Sequence, residues 1–416
     1  MRILVLSTWL PYPPINGGKT RAYHLIKALA KRHEVGLCSF ADAPLEAAWL
    51  HHLGQFCCRV EVVPRNPFLP SRVRTALGWL SLRPSAVCAA YSRAMAQRVR
   101  ALAAEWKPER VVALTWVTVP YALQVADAVR IADVDFPLSP LLHDAYRRSG
   151  SIPERARRWL AWQKFRRYER YVLARCERCL VVSEQERHEL LALLGGRQAR
   201  ISVVPNGVDV VFNRPGLAPP QPNTLIFSGA LTYDANYDAM DYFLREIFPL
   251  VHAALPDVQL RITGATKGVA VPRLPLDGRT TLTGFIDDVR TVVAASCVCV
   301  VPLRIGGGTR VKILEAMALG TPVVSTPKGA EGLDVVAGEH VLIGDTPADF
   351  AAHTIRLLND PALRQRLARN ARRLVVERYG WGDIGRHFRH VVEGAAPAAE
   401  RPAEGERISD RSEVDE

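Results

Sequence analysis

Residues 302–326 read PLRIGGGTRVKILEAMALGTPVVST, and the reading of this stretch decides the fold. The residues just before it and into it, CVCVVPL (297–303), form an apolar run of strand length, and PVVST (322–326) forms another. Between them Gly306, Gly307 and Gly308 make a turn, and a helix is predicted to begin near Thr309 and to run to about Leu319. Apolar strands separated by helices indicate a parallel sheet covered on both faces. A helix start leaves backbone N–H groups unpaired and adds the positive end of the helix dipole, so a glycine turn leading into one suits a bound phosphate. Thr309, Arg310 and Lys312 cluster with the glycines, and Glu315 follows within the helix, where a carboxylate can accept hydrogen bonds from both hydroxyls of a ribose. A nucleotide diphosphate is the ligand this pattern fits.

The same alternation extends outward in both directions. Strand runs precede it at RILVLS (2–7), EVGLCSF (34–40), RVEVVP (59–64), RVVALTW (110–116), RIADVDF (130–136) and RCLVVSE (178–184). After the proline-rich RPGLAPPQPN (214–223) the pattern restarts with TLIFSGA (224–230), a helix predicted over 238–255, VQLRITG (258–264) and TLTGF (281–285). The expected fold is α/β, with two doubly wound Rossmann-like domains, 1–212 and 213–380, facing a central cleft between the carboxyl ends of their sheets. Residues 395–416 carry Ala, Pro and charge without aromatics and read as a disordered tail.

With 48% hydrophobic and 23% charged residues among 416, the composition is that of a soluble globular protein and excludes fibrous or disordered classes. No apolar run reaches the length of a membrane span, and MRILVLSTWL reads as a buried first strand, not a signal peptide. Eight cysteines in so long a chain are no disulfide framework, which points to a reducing, cytoplasmic setting. Cys176 and Cys179 form a C-x-x-C with no second pair at zinc spacing, and no metal site is expected. The net charge of +12 is concentrated in residues 155–178, where nine Lys and Arg face two Glu and alternate with Trp159, Trp162, Tyr168 and Tyr171. Two readings fit this stretch: a helix lying on an anionic membrane surface, which would place the protein peripherally on the inner face, or a solvated helix whose aromatics turn to the core. Nucleic-acid binding would rest on charge alone and is not expected.

Three nucleotide or metal motifs fail on inspection. NGGKTR (16–21) resembles the end of a P-loop, but the glycine that loop needs five residues ahead is Pro13, which lacks an N–H donor. GGGTRVK lacks the last glycine of a dinucleotide fingerprint, which argues against a dehydrogenase. DVD (133–135) matches a metal-holding D-x-D, but that reading predicts one sheet domain.

EAMALGTPVVST (315–326), VVPNGVD (203–209) and LTGFIDD (282–288), in one chain with PPINGGKTRAYHLIKAL (13–29) and YGWGDIGRHF (379–388), resemble the retaining glycosyltransferases of family 4, which have the GT-B fold. The resemblance implies a metal-independent and cofactor-free transfer of a sugar, with retained configuration, from a nucleotide diphosphate sugar to a saccharide or lipid-linked acceptor in surface polysaccharide or glycolipid assembly. An epimerase of the same fold is the alternative. It further implies a helix over 381–394 that crosses back to the first domain. The base would lie near Phe285 and Ile286, the ribose at Glu315, the diphosphate along Gly306 to Lys312, and Gly17 and Gly18 would close over phosphate and sugar. GALTYDAN (229–236) matches the family's G-R-L-x-x-x-K-N at Gly229 and Asn236, but Ala230 and Ala235 replace both cations. Gly307 stands where many members carry a glutamate. The charge on a leaving diphosphate still needs stabilisation, so Arg310 and Lys312 are expected to supply it, with Arg304 as a lesser candidate and Lys19 and Arg21 as open ones. Where the family places a histidine against the donor sugar, RIADVDF offers Asp135.

Overall fold

The computed structural model describes residues 1–42, 44–69, 78, 81–135, 137–194 and 200–394. The predicted disordered tail, 395–416, lies outside the described residues.

Seven parallel strands form the first sheet: β1 (Arg2–Ser7), β2 (Glu34–Ala41), β3 (Arg59–Pro64), β4 (Arg110–Leu114), β5 (Val129–Asp133), β6 (Arg178–Val181) and β7 (Ile201–Val203). Their order is β3-β2-β1-β4-β5-β6-β7. Six more form the second: β8 (Gln221–Ser228), β9 (Gln259–Thr263), β10 (Thr280–Gly284), β11 (Ser296–Val301), β12 (Val323–Ser325) and β13 (Leu342–Ile343), in the order β10-β9-β8-β11-β12-β13. These are two doubly wound Rossmann-like sheets, as the strand and helix alternation predicts. In each, the order reverses next to the first strand, between β1 and β4 and between β8 and β11. Ligands of open α/β sheets bind in the crevice outside the carboxyl ends of strands at such a switch point. The stretches NGGKTR and GGGTRVK follow β1 and β11, so each sheet presents a glycine-bearing helix start at its own switch.

The central strands are apolar on both faces because helices cover both. Ser296–Val301 is buried throughout, and Ile3, Leu4, Val5 and Leu6 are all at most 1% exposed. Helix Trp381–Glu393 returns to the first domain and packs on helix Gly17–Ala30. It sets Ile384, Phe388, Val391 and Val392 against Ile3, Val5, Leu25, Ile26 and Leu29. Gly385 allows this approach, since a Cβ there would stand 2.8 Å from that of Ala28. The chain therefore passes between domains twice, and the two passages touch: Val208 N donates to Tyr379 O at 2.8 Å and Trp381 N to Val208 O at 3.4 Å.

The helix predicted over 238–255 begins at Asp234 and is interrupted by a π-turn at Phe243–Ile247 before Phe248–Ala254. Tyr233 at its N-cap makes no side-chain cap, so the local signal that marks a helix start is missing.

Candidate active site

On the second domain, β11 leads into a turn in which Gly306 (φ +109°) and Gly308 (φ +74°) adopt left-handed backbone that favours glycine. The helix proper runs Val311–Leu319, two residues later than read from sequence, and its first turn holds no acidic side chain. Its positive end is thus left uncompensated. Arg310 occupies the N-cap position and is 7% exposed. Its Nη1 donates to Gly308 O, while Nη2 has no hydrogen-bond partner among the described residues. Burial lowers the Arg310 pKa from its ordinary value.

Lys312 reaches back toward β8. Its Nζ donates to Asn236 Oδ1 at 2.8 Å and lies 3.9 Å from the centroid of the Phe227 ring. Asn236 Nδ2 donates to Ala230 O at 2.8 Å, which turns the amide oxygen toward the lysine. Gly229 leaves the space, because a Cβ there would stand 2.6 Å from Nζ. Burial pulls Lys312 down to about 7. One helical turn on, burial pushes Glu315 up to about 7 against the pull of Lys312. Neither the amide nor the ring cancels the lysine's charge. Gly307 and Thr309 are part-exposed beside them. Arg304, by contrast, is spent: it makes two hydrogen bonds to Asp238 (2.8 and 3.2 Å) and lies over the Tyr242 ring. Phe285 and Ile286 stand apart, after the edge strand β10, with Phe285 61% exposed and open to stacking.

The first domain faces this wall with a different construction. Asn16 caps helix Gly17–Ala30, its side chain accepting Lys19 N at 2.9 Å. Gly17 and Gly18 therefore form its first turn and not a free loop. A Cβ on Gly17 would lie 3.9 Å from Val311 Cγ2, which brings the two helix starts together across the cleft. A Cβ on Gly18 would lie 2.8 Å from the Trp9 ring, so that position is closed to a side chain.

Neither cation of NGGKTR is available. Lys19 pairs with Asp42 at 3.0 Å. Arg21, 4% exposed, grips Asp133 through Nε (2.8 Å) and Nη2 (2.7 Å), and donates further to Val204 O, Pro205 O and Asn206 Oδ1. Asp135 follows β5 with φ +63° and accepts Asn206 Nδ2 at 3.2 Å. It is half-buried, and desolvation raises its pKa against the pull of Arg21. His143, the histidine nearest in sequence, packs on Trp162 with ring centroids 4.4 Å apart.

A cleft cavity joins the walls, lined by Asp144, Ser183 and Glu186 from the first domain and by Gly306–Gly308 and Glu331 from the second. Gln185 Nε2 donates across it to Glu331 Oε1 at 3.0 Å. Burial pushes Glu186 up to about 8. Sequence reading missed Asn206 and Glu186. Glu186 had a signal: with Ser183 it forms a capping pattern, Ser183 Oγ accepting Glu186 N at 3.3 Å and Glu186 Oε2 accepting Val182 N at 3.0 Å. Among the described residues, no three His, Cys, Asp or Glu side chains gather as a metal cluster would require, and no helix is long and apolar enough to cross a membrane.

The chain matches two family models, Glycosyltransferase Family 4 over residues 15–212 and Glycosyl transferases group 1 over residues 222–360. It is 28% identical over 163 residues to an uncharacterized 44.6 kDa protein in the cps region of Klebsiella pneumoniae, a match covering 37% of this chain and 42% of that one. It is 26% identical over 292 residues to the MMP α-(1→4)-mannosyltransferase of Mycolicibacterium hassiacum, covering 64% and 67%. Its fold is similar to that of Anabaena HepE, solved in complex with UDP-glucose, at a TM-score of 0.61 and 17% identity, over 95% of this chain and 100% of that one. Two glycine-bearing helix starts facing one cleft, each inside one of two adjoining family matches, make the assignment: this chain is a glycosyltransferase of the family 4 type, with the GT-B architecture.

Proposed function

We propose that the protein transfers a sugar, with retained anomeric configuration, from a nucleotide diphosphate sugar to a saccharide or lipid-linked acceptor in surface polysaccharide assembly. The observation that carries this reading is the pair Arg310 and Lys312, held at an uncompensated helix start with no salt-bridging carboxylate among the described residues. Buried cations left unpaired are costly unless a ligand completes them. A diphosphate would complete both, and Glu315 would accept the ribose hydroxyls three residues on. In the transfer, the bond from the anomeric carbon to the diphosphate breaks and its electron pair leaves on phosphate. The acceptor hydroxyl bonds from the same face, and its proton passes to the departing phosphate oxygen. Arg310, Lys312 and the helix start stabilise that developing charge, the role for which a metal ion or cofactor would otherwise serve. Asp135, from the facing domain, accepts a hydroxyl of the transferred sugar.

A thermal-shift screen with UDP-, GDP-, ADP- and TDP-sugars tests the reading, because a ligand that binds only the folded state raises the melting temperature. At least one nucleotide sugar should stabilise the protein. Stabilisation by none, or by NAD alone, would count against it.

We further propose that helix Ile152–Leu173 sits on an anionic membrane face. Arg155, Arg157, Arg167 and Arg170 are exposed on it with Trp159 at 47%, whereas Phe165 and Tyr168 are buried and Trp162 packs on His143 and Tyr146. The buried Phe165 and Tyr168 fit the core-facing reading of the basic stretch, and the exposed arginines with Trp159 support the membrane reading. Sedimentation with phosphatidylserine vesicles that weakens as salt rises is the expected result; equal binding to neutral vesicles would remove the electrostatic role.

A further inference from the structure

Asp133 and Asp135 stand two residues apart at the end of β5, and their surroundings divide them. Asp133 is 2% exposed and both its oxygens are held by Arg21. Asp135 is only partly buried, interacts electrostatically with cavity-lining Glu186, has one oxygen bonded to Asn206, and has no partner for the other among the described residues. Its left-handed backbone turns the chain out of the strand at this point.

Asn206 is 6% exposed and bridges the two sides. A guanidinium can only donate, so the Asn206 atom 3.1 Å from Arg21 Nη1 must be the carbonyl oxygen. The other end of the amide is then necessarily its NH₂, and it donates to Asp135 Oδ1. The direction of the amide is imposed by Arg21 and not open to a flip. Arg21 is itself fixed by Asp133 and by the carbonyls of Val204 and Pro205. A rigid chain, Asp133 to Arg21 to Asn206, thus ends on Asp135, the less buried carboxyl of the pair.

We infer that Asn206 and Arg21 are positioning residues that aim Asp135 at the transferred sugar and hold it as an acceptor. This rests on the sugar-transfer reading. The charged groups facing Asp135 are Arg21, Asp133 and Glu186; burial and then Asp133 favour its protonated form, and Arg21 and the Asn206 N–H oppose them.

The test is Asn206→Asp, which is nearly isosteric, can still accept from Arg21 and can no longer donate to Asp135. With UDP-glucose or GDP-mannose as donor, whichever raises the wild-type melting temperature, kcat should fall on the order of 100-fold, the scale of a misaimed group. KM and the nucleotide-induced thermal shift should stay as in the wild type. The acidic limb of the kcat/KM profile should move to higher pH, since the substitution removes a donor and adds a carboxylate beside Asp135. Asn206→Ala, should it fold, moves the limb the same way. A variant Asn206→Asp with wild-type kcat and pH profile overturns the positioning role alone. A wild type that answers to no nucleotide sugar overturns the transfer reading, and this inference with it.

Discussion

The two glycine-bearing helix starts, NGGKTR and GGGTRVK, are near relatives in composition and opposites in chemistry. Each follows the strand at its sheet's switch point, each has two cations within the next few residues, and their first turns lie against one another across the cleft. In the first, Lys19 and Arg21 are neutralised by Asp42 and Asp133, carboxylates at or just beyond the ends of β2 and β5. In the second, Arg310 and Lys312 form no salt bridge among the described residues and contact a backbone carbonyl, a neutral amide and a ring. A cation at a helix start is therefore no sign of an anion site until its partner is known. The first start uses its charges to hold the fold, and on the proposed reading the second keeps them for a ligand.

The sharpest way to break this comparison is to remove the cations from each side in turn. Arg310→Ala with Lys312→Ala should cost at least 10²–10³-fold in transfer, about 3–4 kcal/mol or more, the scale of losing a single preorganised donor. Its melting temperature should hold or rise, because uncompensated buried charge is relieved. Arg21→Met should do the reverse in kind, losing about 3–5 kcal/mol of stability in denaturant unfolding, because Asp133 is left as a buried unpaired charge. If the double variant unfolds while Arg21→Met stays stable, the two starts have been assigned the wrong way round.

A smaller effect sharpens the comparison by titration. Burial brings Lys312 down to about 7, against an unfolded value near 10.5. The neutral amine is the form that burial favours, so folding gains nothing from protonating it, whereas a bound diphosphate needs the ammonium. Donor affinity should accordingly weaken as pH rises above 7, by up to about tenfold per pH unit. Titration calorimetry at several pH values checks this; a flat profile from pH 6.5 to 8.5 would show that Lys312 is charged throughout or is not at the phosphate.

How much of this was legible in the sequence follows from distance along the chain. The glycine turn, Arg310, Lys312 and Glu315 lie within one strand-turn-helix unit, and periodicity with glycine placement was enough to bring them together. Even there the helix began two residues late, because Arg310 gives no capping signal. Lys19 and Arg21 looked available because the carboxylates that occupy them are 23 and 112 residues away. Asn206 lies within VVPNGVD with no role legible there, since its partners Arg21 and Asp135 are 185 and 71 residues distant and only the assembled sheet makes them neighbours. Arg304 reads as a lesser candidate cation for the same reason, its Asp238 lying 66 residues away on helix Asp234–Tyr242.

The two passages between the domains carry a mechanical consequence. Val208 and Gly380 are bridged side by side, so the domains are joined by two segments tied at one point and not by a single thread. Two tied segments resist relative twisting more than one would, which favours one axis along which the cleft widens and narrows. Asn206 stands two residues from the tie, with its amide bonded to Arg21 and Asp135. On the proposed reading, the pivot and the aiming of Asp135 share one short segment, and the angle between the sheets becomes a variable that this carboxyl can feel.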